Sequence, residues 1–499
     1  MNYRLSDIPL LLVTPAGRMQ LAEGVRYRLW PLLSRLAWAW RRTAARDTRV
    51  VAVVGSFGKS TTARAVAAVL AAPADERISQ NAWSLLALAV LRIRPRQSHA
   101  VIEAGIAGRG QMERYAGVVR PDVTVVTSIG GEHQGSLGTL DVTRSEKAWM
   151  VKKLPATGTA VLNGDDANVM WMGEQTRARV VTFGFGASCD VRATDLALDW
   201  PSGSTFRVSA FGEQRDVRVR LIGRTMIYPA LAAIAVAHVE GVRLDMALPA
   251  LAALPPTRRR MEPFQLTNGV TLLCDDFKSP IETIDAALDA LAEIPAGRRI
   301  VLFGGISHPP PKQRRSYARL GQRVAGIAAH LVVVGEALER YARGARRAGM
   351  PKAAIHDGGR TPQQAAAVLT GLLEPGDVVL IKGRDTQMLD RVRLILDGHP
   401  VGCEIAFCSL RRSDCESCPM VERGWGKHRV IMARSAWATD ATDADPNAEA
   451  VEPKHSGSTN QASRRTGRRN AGFAYVGVSA DPPSPCARHC AWRRAIRRR

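Results

Sequence analysis

The stretch that most constrains this chain runs from Val50 to Thr62, VVAVVGSFGKSTT. An apolar run ends in Gly55-Ser56-Phe57-Gly58-Lys59-Ser60-Thr61, and an alanine-rich helical pattern follows. A continuous apolar run suits a strand buried on both faces of a parallel sheet. Glycines let backbone N–H groups curl around phosphate oxygens, and the following helix adds the positive end of its dipole. Lys59 has the reach for terminal phosphates, and the Ser60 or Thr61 hydroxyl suits Mg²⁺. The spacing is G-x-x-G-K-S, shorter than the commoner G-x-x-x-x-G-K-S. Gly55, Ser56, Gly58, Lys59, Ser60 and Thr61 are therefore expected to hold the phosphates of a nucleotide.

The pattern around this loop repeats. Short apolar strands are expected at His99 to Ile102, Val123 to Ser128, Ala160 to Asn163 and Val180 to Phe183, alternating with Ala- and Leu-rich helices. A helical segment spans Gly223 to Val242, and Pro255-Pro256 marks a boundary. A second series follows, with strands at Val270 to Asp275, Arg299 to Phe303, His330 to Val334 and Asp377 to Ile381. Helices at Ile281 to Glu293, Tyr317 to Ala328 and Thr361 to Leu373 lie between them. Such alternation predicts an α/β chain. Its fold class is a central P-loop-type parallel-sheet ATPase domain, then a second Rossmann-like α/β domain. The expected divisions are 1–48, 49–254, 255–402, a Cys-rich segment 403–426, and a disordered basic tail 427–499.

Charge sharpens the reading of the two ends. The 499 residues carry a net +23, yet nine basic and three acidic residues fall within the first fifty, and 14 basic and six acidic within 427–499. A basic end is ordinarily a solvated one, so no nucleic-acid partner is expected. Residues 20–46 read as one amphipathic helix, with Leu29, Leu32, Leu33, Leu36 and Trp40 near helical spacing and arginines among them. It can dock on the next domain, or make peripheral contact with an anionic membrane, where Trp and Arg are favoured. No apolar run approaches the length of a membrane span, and the N-terminal apolar patch Ile8 to Val13 is too short for a secretory signal. A cytoplasmic protein is expected.

Further candidates lie at strand ends. Glu103 closes its strand, where parallel strands meet their ligands, and is a candidate Mg²⁺ ligand. His133, in Thr127-Ser128-Ile129-Gly130-Gly131-Glu132-His133, suits a metal ligand or proton carrier. Lys147 follows fourteen residues on, and Asn163-Gly164-Asp165-Asp166 closes another strand.

In this order the segments resemble the Mur ligase family of ATP-dependent amide-forming enzymes: G-x-x-G-K-S-T-T, E-x-G, P-D-V, T-x-I-x-x-x-H, a lysine, and N-x-D-D. Arg260-Met261-Glu262, Asp275 to Pro280, Gly304-Gly305 and Gly376 to Arg384 continue the match, which covers roughly 49–400. The resemblance implies that ATP activates a carboxylate as an acyl phosphate, which an amine then attacks. It implies Lys59, His133 and Lys147 as catalytic groups, Lys147 being the lysine that is often carbamylated. It implies Mg²⁺ at Ser60, Glu103 and His133, and nucleotide contacts from Arg260 and Asp275. The Lys-Gly-Arg ending at Arg384 is nearest the branch that adds D-alanyl-D-alanine to a UDP-muramoyl tripeptide. Three departures accompany this. About 48 residues precede the phosphate strand, fewer than the family's UDP-sugar domain. The usual asparagine segment reads Gly223 to Tyr228. Lys278 stands where His or Asn is usual. A ligase for a polyamino-acid or folate-type substrate, or an inactive nucleotide-binding subunit, are the alternatives.

Cys403, Cys408, Cys415 and Cys418 form C-x₄-C-x₆-C-x₂-C. Four thiolates in so short a span suit a structural Zn²⁺.

Overall fold

A computed structural model describes residues 5–73, 81–132, 137–307, 309, 313–408, 410 and 414–428. The expected disordered tail lies outside these, apart from its first two residues. The first sheet has eight strands: β1 (Arg49–Val54), β2 (His99–Glu103), β3 (Val123–Val126), β4 (Thr159–Asn163), β5 (Arg179–Gly184), β6 (Val191–Asp199), β7 (Gly203–Ala210) and β8 (Glu213–Val219). Their spatial order is β2-β1-β3-β4-β5-β6-β7-β8. The pairs from β2 through β6 are parallel, whereas β6, β7 and β8 form an antiparallel meander. The sequence reading missed the meander. Its strands carry Arg, Asp and Glu on their outward side, which hides them from a search for short apolar runs.

The second sheet has order β13-β12-β11-β14-β10-β9. It is built from β9 (Glu262–Gln265), β10 (Thr271–Asp275), β11 (Arg299–Phe303), β12 (His330–Val333), β13 (Ile355–Asp357) and β14 (Val378–Lys382). Only β9, at the edge, runs antiparallel.

Strand orders of this kind create switch points. In the first sheet, the neighbours β1 and β3 send their connections to opposite sides, β1 to β2 and β3 to β4. A crevice opens between the carboxyl ends of β1 and β3. In the second, β14 inserts between β10 and β11, so the crevice opens at Asp275, Lys382 and Phe303. Both faces of each sheet are covered by apolar clusters. β1 shows why: Val50 through Val54 are all fully buried, alternating between the two clusters.

Before β1 come α1 (Ile8–Val13), α2 (Pro15–Arg28) and α3 (Trp30–Arg42). The expected single helix over 20–46 is thus two, joined at Leu29, and the second ends at Arg42. Leu29 N–H still donates to Val25 O (3.1 Å), and Leu33 N–H to Leu29 O (2.9 Å), so the helical path is nearly continuous. Trp30, Leu33 and Trp40 pack on the first sheet's outer layer, beside α5 (Ser84–Leu91) and α6 (Gln111–Val119). α4 (Lys59–Val69) lies between α3 and α5 in sequence and starts at the phosphate loop.

Candidate active site

The loop after β1 takes its shape from two glycines. Gly55 has φ +144°, and a Cβ there would stand 2.0 Å from Thr127 Oγ1 at the end of β3. Gly58 has φ +79° and is the N-cap of α4, with no side chain capping that helix. The first intrahelical bond is Thr62 N–H to Gly58 O (2.9 Å). The N–H groups of Lys59, Ser60 and Thr61 therefore precede the ladder and face the crevice, as an anion requires.

Side chains from three strand ends then meet. Lys59 is buried, and its Nζ donates to Ser56 O (2.9 Å) and stands 3.5 Å from Glu132 Oε2. Lys147, at the end of α7 (Leu140–Lys147), is also buried, and its Nζ donates to Ser56 Oγ at 2.8 Å. Lys278 pairs with the other oxygen of Glu132. Three lysines thus surround one carboxylate and one serine. Burial pushes the Lys59 ammonium below the ordinary lysine range, with Glu132 opposing. Burial and then the neighbouring Lys59 hold Lys147 well below it. Both causes act against the charged form of Lys147.

Glu103 ends β2 as expected. Its Oε1 accepts from Asn81 Nδ2 (2.5 Å), while its Oε2 is buried with no hydrogen-bond partner. The Thr61 hydroxyl is in the same condition. Unsatisfied buried oxygens are costly and call for an explanation. A hard cation beside phosphates supplies one, since Mg²⁺ takes one or two protein oxygens and completes its shell with phosphate and water. The residues present fit Mg²⁺. His133 lies outside the described residues.

The second sheet supplies the opposite wall. Asp275 and Lys382 end β10 and β14 as register partners, and Lys382 Nζ donates to Asp275 Oδ2 (2.6 Å) and to Lys278 O (2.7 Å). Burial raises the Asp275 carboxyl above the usual range, and Lys382 opposes this. Arg260 reaches back to donate to Ser60 Oγ (3.2 Å), with its guanidinium 4.3 Å over the Phe277 ring. Burial lowers its pKa, opposed first by Glu103 and then by Asp275. The two walls enclose a cavity of about 580 Å³, lined by Ser56 to Thr62, Thr127 to Ile129, Arg260, Asp275, Lys278 and Lys382. That is the size of a nucleotide site.

Asn163 and Asp166 act on the loop after β3. Asn163 Nδ2 donates to Thr127 O (2.8 Å), and Asp166 accepts from Ile129 N–H (2.8 Å) while capping the next helix. Thr225, Met226, Tyr228 and Pro229 line the cavity's far side. Sequence reasoning quoted Glu132 only as part of a motif and gave it no role. Its signal was weak, because its partners come from segments 73 and 146 residues away.

The four cysteines line a second, small cavity with Arg391, which donates to Cys403 O (2.9 Å). Among the described residues, no group of three or more His, Cys, Asp or Glu side chains is placed to hold a metal ion. The zinc expectation thus finds no support in this geometry. Burial pushes the Cys408 thiol up to about 12 and Cys415 well above the thiol range. Here the cysteines pack with Met388, Leu394 and Trp425 as an apolar cluster.

Comparison with known proteins points to one family. The model of the Mur ligase middle domain matches residues 53–237, and that of the Mur ligase glutamate ligase domain matches 259–384. The UDP-N-acetylmuramoyl-tripeptide–D-alanyl-D-alanine ligase of Mycobacterium tuberculosis (strain H37Rv) is 29% identical, over 77% of this chain and 82% of its own length. A crystal structure of MurF from Acinetobacter baumannii superposes with a TM-score of 0.66 at 22% identity, covering 74% of this chain and 80% of that one. MurF ligase from Thermotoga maritima in complex with ADP gives 0.61 at 20% identity, covering 74% and 82%. At these identities the solved structures speak to the fold.

Proposed function

The chain belongs to the Mur ligase family, and from that premise we propose that it is an ADP-forming ligase adding D-alanyl-D-alanine to a UDP-muramoyl tripeptide. The observation that carries the chemistry is the single cavity between two switch points, with a phosphate loop on one wall and cations on the other. The choice of substrates rests on the named activity of the M. tuberculosis relative.

In the proposed reaction a substrate carboxylate oxygen attacks the γ-phosphorus of ATP. The bond to the β–γ bridging oxygen breaks, and ADP leaves. The amine then attacks the acyl carbon, phosphate departs with the carbon–oxygen bond's electrons, and the amine gives up a proton. Lys59 and the N-terminus of α4 hold the terminal phosphates. Arg260 and Lys278 face the transferring group from the other wall, where cations in a dry site count for far more than in water. Glu132 holds Lys59 and Lys278 in place between turnovers. Ser60, Thr61 and Glu103 would hold Mg²⁺, which would supply further charge neutralisation on the phosphates. Lys147, buried beside Ser56 and Glu132, is the lysine that would carry a carbamate, as the family resemblance implies. Closure of the two walls excludes water that would hydrolyse the acyl phosphate. The cytoplasm, where ATP is supplied, is the proposed site of action.

The test is product analysis by mass spectrometry with Mg·ATP, UDP-muramoyl tripeptide and D-alanyl-D-alanine. Expected are the pentapeptide product and ADP in equal amounts, both needing all three substrates. ATP bound but no pentapeptide formed would assign the site to another carboxylate and amine.

A further inference from the structure

Of the 13 large hydrophobic side chains exposed among the described residues, 11 lie between Leu5 and Trp38. Scattered exposure of this kind is ordinary, but a concentration of it is not. Four of them form a line. Val25, Leu29, Leu32 and Leu36 are 57%, 42%, 56% and 49% exposed, and their 4-3-4 spacing puts them on one helical face across the α2–α3 joint.

This face is not the remainder of poor docking. The opposite face is firmly held. Trp30 makes edge contacts with Trp83 (5.6 Å) and Tyr115 (5.5 Å), and Trp40 Nε1 donates to Ile93 O (3.0 Å). Arg41 is buried, donating to Val119 O (3.2 Å) and bridging Asp122 at 3.0 Å. The inner contacts fix the helix, and the leucines are left pointing to solvent.

Arginines border the line. Arg18, Arg26, Arg28 and Arg35 are exposed, while Asp7 is buried and Glu23 half-buried. Beside the line, Trp30, Ser34, Arg35, Trp38, Arg42 and Arg114 line an open groove of about 640 Å³, and the Arg42 guanidinium lies 3.8 Å over the Trp38 ring. Leucines between arginines and tryptophans are the composition that enters the boundary of headgroups and acyl chains. The charge decides among occupants. A second copy would set two arginine borders against each other, and the chain's own basic C-terminal segment would add like charge.

We propose that the outer face of α2 and α3 seats this protein on an anionic lipid surface, leucines in the acyl boundary and arginines at the phosphates. The proposal is independent of the ligase reading, because the face lies outside the nucleotide cavity.

The test is flotation of the full chain with vesicles of phosphatidylglycerol and phosphatidylcholine, against phosphatidylcholine alone. Expected is binding to the anionic vesicles that weakens with salt. The triple variant Leu29→Ser, Leu32→Ser, Leu36→Ser should reduce it about tenfold or more. ATP binding should be unchanged in that variant, which reports that the fold survives. Absence of anionic-vesicle binding at low salt overturns the proposal. So does equal binding by the triple variant, which would assign attraction to charge elsewhere. A dimer of the wild type that the same variant dissolves, without vesicle binding, would give the face to a second copy.

Discussion

The two walls of the nucleotide cavity are built from opposite materials. At the end of β1 the backbone does the work: Gly55 and Gly58 shape a loop whose amides and helix dipole await an anion. At the ends of β10 and β14 the work falls to a side-chain ion pair, Lys382 with Asp275. The first wall keeps its charge for a ligand, whereas the second spends much of its charge on holding itself together. The contrast teaches where a substitution will cost activity and where it will cost the fold.

Lys382→Met should have the largest effect on stability. It leaves the Asp275 carboxylate buried without its partner, and such losses run to about 3–5 kcal/mol. Urea unfolding measures this, and a loss below 1 kcal/mol would show that the pair is not structural. Gly55→Ala comes next. A Cβ against Thr127 Oγ1 at positive φ should cost about 3 kcal/mol, visible in the same experiment, and should weaken nucleotide binding as the loop shifts. Lys59→Met marks the other side of the comparison. Glu132 keeps Lys278 as its partner, and a buried ammonium is removed, so stability should change by only about 1 kcal/mol while turnover falls about a hundredfold or more. Equal losses of stability in Lys59→Met and Lys382→Met would erase the distinction between the walls.

The smallest effect concerns acid. Burial raises the Asp285 carboxyl, but hydrogen bonds from Arg319 (2.8 Å) and Arg323 (2.6 Å) more than offset this and leave it below the ordinary carboxylate range. A carboxyl lowered on folding contributes stability above its unfolded pKa of about 3.9, and that contribution is lost as pH falls through its folded value. Arg323→Ala should therefore reduce stability by about 1 kcal/mol or less at pH 7. The difference from wild type should shrink below pH 4. A difference that grows on acidification would contradict the pairing.

The same contrast governed what could be read from the sequence. A loop made from glycines, a lysine and hydroxyls is local, so its shape and purpose were visible in thirteen residues. Most parallel strands were equally plain, because burial on both faces leaves unbroken apolar runs such as Val50 to Val54, whereas β13, three residues long and only half-buried, left no such run. Arg299–Phe303 and Ile281–Glu293 were placed to the residue. The antiparallel β6 to β8 were not, since their solvent side alternates charges into the pattern. Glu132 was not given its role either, as the lysines it joins converge only after folding. The N-terminal helices showed a third limit. Apolar residues on both faces of α3 looked like one stripe, and only the fold separated the docked Trp30, Leu33 and Trp40 from the exposed Leu32, Leu36 and Trp38.

The cavity between the two walls is the proposed ATP site. Calorimetric titration of Mg·ATP into the wild type and Lys59→Met tests it most directly. Expected is one nucleotide per chain for the wild type, with affinity reduced about a hundredfold or more in the variant. Equal affinity in the two proteins would contradict it and place the nucleotide elsewhere.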